Sequence, residues 1–165
     1  LLPGTNWPTK RWPAEHFEEL VEPLRERFGL VSVVAGGSDA AELAPQLPSA
    51  INLAGRTTLP QLVTLLQRAG LVLANDSGPM HLAAALGVPC VALFGPTDHR
   101  RTAPAGGAGE GHIVLDRNLW CSPCFRRRCP LLHHGCMRGI GVNEVAGAVE
   151  KALAPAVSAP EASDD

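Results

Sequence analysis

The side chains best suited to chemistry lie within seven positions, from Asn75 to His81. An apolar run typical of a buried strand leads into this polar turn, and an alanine-rich stretch typical of a helix follows it. In an open parallel sheet, ligands bind where strands end, and a helix N-terminus there offers backbone N–H groups to a phosphate. Gly78 allows close approach, while Ser77 and His81 add side chains that reach the same anion. Asp76 would repel a phosphate, so we expect it to accept hydrogen bonds from sugar hydroxyls.

The same residues have a structural alternative, in which Asp76 or Ser77 only caps the helix and His81 is an ordinary surface residue. The clustering of asparagine, aspartate, serine, glycine and histidine favours a binding site over this alternative. A serine hydrolase is excluded, because Asn75 occupies the first glycine position of G-x-S-x-G. The P-loop and G-x-G-x-x-G patterns are absent as well.

Two further turns should face the same edge of the sheet. The first, residues 4–13, joins an opening strand to a helix and carries Thr5, Asn6 and Lys10, one of only two lysines in the chain. These donors suit phosphate oxygens. The second, residues 35–39, is a glycine turn that ends at Asp39. A solvated loop and a simple helix cap are the respective structural alternatives.

The elements that must position these turns alternate between short apolar runs and amphipathic stretches, which predicts a doubly wound α/β domain with a parallel sheet. We expect strands over 30–35, 51–53, 71–74, 89–94 and 112–115, and helices over 13–28, 39–46, 59–69, 78–86 and 142–153. The domain comprises residues 1–153, including a cysteine-rich segment at 116–138. Residues 154–165 are alanine, proline, serine and acid, and we expect them to be disordered.

Composition limits the class of protein. The 165 residues suffice for one domain, and 14 basic against 16 acidic side chains give a net charge of −2. That balance excludes a global basic field for nucleic acid. No apolar run approaches the roughly 20 residues of a membrane span, and no signal peptide is recognisable, so we expect a cytoplasmic protein. The chain begins without Met at what reads as the end of a strand, and we expect it to be a fragment.

Five segments occur in the same order as in bacterial ADP-heptose:lipopolysaccharide heptosyltransferases. They are P-G-T-x-x-x-x-K-R-W-P, A-G-G-S-D, N-L-A-G-R-T-T-L, N-D-S-G-P-M-H-L-A-A-A-L-G-V-P and A-L-F-G-P-T. The resemblance covers residues 1 to about 150 and is greater to heptosyltransferase II than to I. It implies a GT-B architecture, in which two Rossmann-like domains enclose the active site. This chain resembles the C-terminal, donor-binding half.

The resemblance also implies a function, in which heptose passes from ADP-heptose to the lipopolysaccharide inner core without a metal for catalysis. Lys10 would stabilise the departing ADP. The base and the acceptor site would belong to an N-terminal domain, so we expect this chain alone to bind donor without transferring sugar. The full-length protein would work at the inner face of the inner membrane, with at most peripheral membrane association.

Residue by residue, the resemblance assigns three parts of the donor. The diphosphate and the sugar would lie near Thr5, Asn6 and Lys10 and be surrounded by Asp76, Ser77, Gly78 and His81. The nucleoside would be held by Asp39 or Glu42, and the base pocket would be lined by Thr57.

The cysteine-rich segment has the spacing C-x2-C-x4-C-x6-C, formed by Cys121, Cys124, Cys129 and Cys136. Its opening spacing can chelate zinc, and we expect a structural role for such a metal. A small metal-dependent nucleic-acid-binding module is one alternative function, with arginines 126–128 on the nucleic acid. The acidic chain and the few aromatics argue against it, so we expect no nucleic-acid partner.

A non-catalytic nucleotide-sensing domain is the other alternative. Cys90, within a predicted strand, should belong to the core.

Overall fold

The computed structural model describes residues 1–104 and 111–157, and its strands are all parallel. β1 (Val33–Val34) pairs with β2 (Ile51–Asn52). In a second ladder, β3 (Val72–Asn75) pairs with β4 (Cys90–Leu93), and β4 pairs with β5 (Ile113–Leu115). The predicted α/β class is therefore confirmed.

Residues 1–3 join the two ladders into one sheet. The Leu1 nitrogen donates to the Val33 carbonyl oxygen (2.8 Å), and the Leu2 N–H donates to the Leu73 carbonyl oxygen (2.8 Å). The spatial order is β2, β1, residues 1–3, β3, β4, β5. Along the chain, β1 and β2 are added on one side of residues 1–3, and the chain then crosses over to add β3, β4 and β5 on the other side. This is the strand order of a doubly wound Rossmann-like sheet. The crossing point lies between residues 1–3 and β3, and it leaves a crevice at the carboxyl ends of those two strands.

Helices cover both faces of the sheet. They are α1 (Ala14–Phe28), α2 (Ser38–Ala41), α3 (Leu59–Gln67), α4 (Gly78–Ala85), α5 (His99–Thr102), α6 (Gly135–Arg138) and α7 (Val142–Val157), with 3-10 turns at Pro8–Lys10 and Ala44–Gln46. Two helix ends carry well-known local stop and start signals. Gly29 ends α1 in the left-handed region (φ 66°), and Thr58 and Gln61 cap α3 reciprocally.

The core is divided by the sheet into two clusters. Side chains of α1 and α7, such as Phe17 and Val149, pack on one face, and side chains of α3 and α4, such as Leu66 and Met80, pack on the other. Successive residues of β3 and β4 alternate between the clusters, as the period of two requires. Cys90 is fully buried in the second cluster, as expected, and burial raises the pKa of its thiol to about 12.

Several elements differ from the predictions. The strand expected over 30–35 is limited to Val33–Val34, and α6 was not predicted. The helix expected over 39–46 is divided into α2 and the turn Ala44–Gln46, where Pro45 lacks the N–H that an α-helix would use. The last helix extends to Val157, so residues 154–157, which we expected in the disordered tail, are helical; alanines favour this continuation. Residues 158–165 lie outside the described residues. Finally, α5 forms within the predicted loop that follows β4, where residues 105–110 are also outside the description.

Candidate functional site

A cleft of about 610 Å³ opens at the carboxyl ends of the strands, at the crossing point of the sheet. The turns after residues 1–3, β1 and β3 all contribute to its lining, as the sequence predicted. A second cavity, of about 320 Å³, lies at the amino ends of the strands and is lined mainly by aliphatic side chains and backbone. Of these two cavities, the first alone gathers cationic, acidic, hydroxyl and imidazole groups, so it is the candidate site.

A nearly buried ion pair forms the floor of this cleft. Lys10 Nζ and Asp76 Oδ2 are 2.7 Å apart, and their side chains are only 16% and 6% exposed. Thr97 Oγ1 donates a hydrogen bond of 2.7 Å to the same carboxylate oxygen. Thr5 Oγ1 donates to the Asp76 carbonyl oxygen at 3.3 Å. Asp76 therefore holds the ammonium group of Lys10 in place at the start of α4.

Asn75 fastens the lysine-bearing loop to the sheet. Its side chain is fully buried, accepts a hydrogen bond from the Trp12 N–H (3.1 Å) and donates one to the Pro3 carbonyl oxygen (2.8 Å). Trp12 in turn donates from its indole to the Ile140 carbonyl oxygen (2.9 Å). These bonds satisfy the Trp12 N–H and the carbonyl oxygens of Pro3 and Ile140, which would otherwise be buried without a partner. Asn75 thus positions the cleft without lining it.

The second glycine turn lies against the first. A Cβ atom at Gly4 would lie 2.7 Å from the Ala40 nitrogen and 2.9 Å from Asp39 Cγ, so only glycine fits there. Gly36 has a φ of +126°, a conformation that side chains with a Cβ rarely adopt. This close approach brings Asp39 to the cleft beside residues 4–10.

Ser77 does not cap α4 with its side chain, so the structural alternative read from the sequence is wrong for this residue. Its Oγ is buried and has no hydrogen-bond partner among the described residues. An unpaired buried hydroxyl at a helix N-terminus costs free energy unless a ligand or water satisfies it. Gly78 and His81 line the cleft in the first turn of the same helix.

Eight of the ten residues named from the sequence line this one cleft: Thr5, Asn6, Lys10, Asp39, Asp76, Ser77, Gly78 and His81. The other two do not. Glu42 lies on the surface and pairs with Arg11 at 3.5 Å, and Thr57 is absent from the lining. Asp39 is therefore the acid of the glycine turn that can reach a ligand in this cleft.

Three contributors to the cleft had no role in the sequence analysis. Thr97 follows β4, the strand beside β3, and the strand-end rule that found Asp76 would also have found it. Thr102 reaches the cleft from α5, which no periodicity predicted. Trp7 lines it, and its ring lies close to two cations: Lys10 Nζ is 4.7 Å and Arg127 Cζ 5.2 Å from the ring centroid.

The cysteine-rich segment lies beside the cleft, and its four cysteines border one small cavity. In the described part of the chain, no three or more His, Cys, Asp or Glu side chains are arranged to hold a metal ion. Nearby backbone N–H groups, that of His134 foremost, lower the pKa of the Cys129 thiol. The zinc site that the spacing predicted is neither confirmed nor contradicted by these positions. The metal content stays a prediction, which metal analysis of chelator-free protein tests; clearly substoichiometric zinc would contradict it.

The family model described as glycosyltransferase family 9 (heptosyltransferase) matches residues 1–134. The chain belongs to this family. It is 32% identical over 154 residues to lipooligosaccharide heptosyltransferase 2 of Campylobacter jejuni, covering 88% of this chain and 47% of that protein. The chain spans about half the length of this relative.

Solved structures of heptosyltransferases have the same fold as this family 9 chain. It superposes on the E. coli ADP-heptose lipopolysaccharide heptosyltransferase II with a TM-score of 0.77 and 29% identity, covering 95% of this chain and 46% of that one. The E. coli heptosyltransferase WaaC with ADP gives a TM-score of 0.66 at 25% identity, covering 92% and 42%. The predicted Rossmann-like half of a GT-B architecture is thereby confirmed. Among the described residues, no helix combines the length and apolar character needed to cross a membrane.

Proposed function

We propose that this chain binds ADP-heptose in the cleft at the crossing point of the sheet, as the donor-binding half of a heptosyltransferase of lipopolysaccharide core synthesis. One observation carries the proposal. The cationic group of Lys10 is held at the N-terminus of α4, beside the unpartnered hydroxyl of Ser77. A fixed cation, a free hydroxyl and the backbone N–H groups of a first helical turn together form a diphosphate site.

Each part of the donor has a counterpart among the lining residues. The diphosphate would lie over Lys10 and the start of α4. Asp39 follows the strand next to residues 1–3, where Rossmann-like folds use an acid to hold ribose hydroxyls. Asp76 directs one carboxylate oxygen to Lys10 and Thr97, so we assign it to orienting the lysine as well as to sugar hydroxyls.

The reaction would be a displacement at the anomeric carbon in which ADP departs. Negative charge grows on the diphosphate as the sugar–oxygen bond breaks, and the positioned ammonium group of Lys10 stabilises that charge. Asp76, itself held by the Thr97 hydroxyl, positions the ammonium group beforehand, so little reorganisation is needed as the charge develops. We assign the catalytic base and the acceptor site to parts of the full-length enzyme outside this cleft. The acceptor itself would lie at the inner membrane.

Titration calorimetry of the chain with ADP, ADP-heptose, UDP and GDP tests the donor assignment. Affinity for the two adenine nucleotides above that for UDP and GDP supports it. Equal affinity for all four, or no binding of the first two, would contradict it. We expect weak binding, because the cleft is open on one side and leaves the ligand partly solvated.

Lys10→Ala and Lys151→Ala form a matched pair, since these are the only lysines and Lys151 is exposed on α7. Lys10→Ala should weaken ADP-heptose binding about tenfold or more, and Lys151→Ala should leave it unchanged. Because Lys10→Ala also strands the nearly buried Asp76, the double variant Lys10→Ala/Asp76→Asn should recover thermal stability without recovering affinity. Normal affinity of Lys10→Ala would refute the lysine's role.

A further inference from the structure

Residues 117–138, here called the basic segment, have a charge opposite to that of the rest of the protein. They contain five arginines and no aspartate or glutamate, which leaves the remaining residues with a net charge of −7. Arg117 pairs with Glu144 at 2.7 Å. In the described part of the chain the other four arginines form no ion pair, and all four are exposed.

The same segment carries most of the large apolar side chains that the fold leaves in solvent. Among the described residues seven are exposed, and four of them are Trp120, Phe125, Leu131 and Leu132. Trp120 is 88% exposed and Leu132 is 83% exposed. Single exposed apolar residues are ordinary, but a group of four within 13 positions marks a surface that is covered in use.

The backbone of the basic segment holds two of these four side chains, those of Phe125 and Leu132, in unfavourable conformations. Within the described residues, every non-glycine residue with a positive φ lies here: Asn118, Phe125, Leu132 and His134. Phe125 (φ 52°) and Leu132 (φ 58°) have bulky side chains, for which the left-handed region is costly. Such conformations are typical of segments whose exposed shape serves a contact.

We propose that the basic segment docks on an anionic lipid bilayer. Clustered arginines next to exposed Trp and Leu side chains are the combination that interfacial binding requires, because arginines pair with headgroup phosphates while apolar side chains enter the boundary region. Leu131 and Leu132 would have no comparable partner on a nucleic acid, whose bases stack on flat rings. This inference goes beyond donor binding and does not depend on it.

The basic segment lies next to the cleft, so docking on a bilayer would bring the cleft close to the membrane surface. Arg127 packs over the ring of Trp7, and Trp7 lines the cleft. A bilayer held by the basic segment would therefore lie beside the mouth of the cleft. A reacting group anchored in that bilayer could reach the cleft without leaving the membrane surface.

Vesicle sedimentation of the whole 165-residue chain tests the proposal. We expect binding to vesicles of equal parts phosphatidylcholine and phosphatidylglycerol, little binding to phosphatidylcholine alone, and release by molar salt, which shortens the Debye length to about 3 Å. Tryptophan fluorescence should shift to the blue on binding, and Trp120→Ser should remove most of the shift, since Trp12 is already buried and Trp7 is half-buried beside Arg127. Equal binding to both vesicles, or none to either, would overturn the proposal.

Charge-matched variants locate the surface. Replacing Arg126, Arg127 and Arg128 by Gln should weaken vesicle binding on the order of a hundredfold, whereas Arg25, Arg56 and Arg68 to Gln should weaken it by less than tenfold. Trp120→Ser/Leu132→Ser should also release the chain, and Val31→Ser/Leu59→Ser, at similarly exposed sites, should not. Melting curves identify any variant that fails to fold. Equal losses in the matched sets, or preferential binding of a polyuridine RNA over the anionic vesicles, would overturn the proposal.

Discussion

The cleft and the basic segment meet at Trp7, yet they are built in opposite ways. At the cleft, Asp76, which lines it, and Asn75, which positions it, are buried and paired with partners from other elements. In the basic segment, charges and apolar side chains face solvent, and the only helix is the single turn of α6. The sheet satisfies its own backbone, which frees the side chains at its edge to hold one another and a ligand. The basic segment has no sheet to position its side chains against one another, so its exposed arginines and apolar side chains are available to a partner outside the protein.

Thiol reactivity should show the largest contrast between the two regions. Burial raises the pKa of Cys90 in the sheet to about 12, while backbone N–H groups lower that of Cys129 in the basic segment. Near pH 8 the thiolate fraction of Cys129 should exceed that of Cys90 by about a thousandfold or more, because each pKa unit changes it tenfold. Iodoacetamide labelling of chelator-treated protein, followed by mass spectrometry, measures both rates.

The thiol-reactivity prediction also fixes the direction in which the labelling rates change with pH. Raising the pH toward 9 should bring the labelling rate of Cys129 to its plateau before that of Cys136, whose pKa burial raises. Native Cys90 should stay unlabelled until the protein unfolds. Labelling of Cys90 at the rate of Cys129 in folded protein would contradict the contrast.

Asn75→Ala tests how strongly the cleft is fastened to the sheet. The substitution leaves the Trp12 N–H and the Pro3 carbonyl oxygen buried without their partner, so we expect a loss of about 3 kcal/mol in the free energy of unfolding. Urea denaturation measures it. Asn143→Ala, at an exposed position in α7, is the control, and an equal loss in both variants would refute the fastening role.

Gly4→Ala tests the close approach of the two glycine turns. The added Cβ would meet backbone at 2.7 Å, so the turn must shift, and we expect a loss of about 2 kcal/mol together with weaker donor binding. Gly147→Ala is the matched substitution, because Gly147 lies in α7 and a Cβ atom added there meets nothing within 4 Å. It should stabilise the protein by about 0.5–1 kcal/mol. Thermal melts and calorimetry distinguish the two, and the same sign in both would argue against the close contact.

Leu132→Gly should show the smallest effect and the opposite sign. Glycine adopts a φ of 58° without the steric penalty of leucine, so we expect a gain of about 0.5 kcal/mol in stability. Leu59→Gly, at an exposed site at the start of α3, should instead destabilise by about 1 kcal/mol. Denaturation midpoints measure both. Destabilisation by Leu132→Gly would mean that its backbone conformation is not strained.

Local rules in the sequence were sufficient where regular elements repeat. Alternating apolar runs predicted the parallel sheet, and the amphipathic stretch over 59–69 predicted α3. Because parallel strands end at one edge, the three turns could be assigned to one site before any coordinates were known. Glu42 and Asp39 could not be separated in this way, since the direction of each side chain depends on how α2 packs against Gly4.

What the amino-acid sequence by itself determined is the set of chemical groups and the edge at which they gather. Strand periodicity and turn composition act over a few residues, so they can be read locally. The tertiary structure alone decided the pairings: Lys10 with Asp76, Asn75 with the loop before α1, and Arg127 with Trp7. These pairings join positions more than 60 residues apart along the chain, and only the packing of helices on both faces of the sheet brings such positions within hydrogen-bond or van der Waals distance.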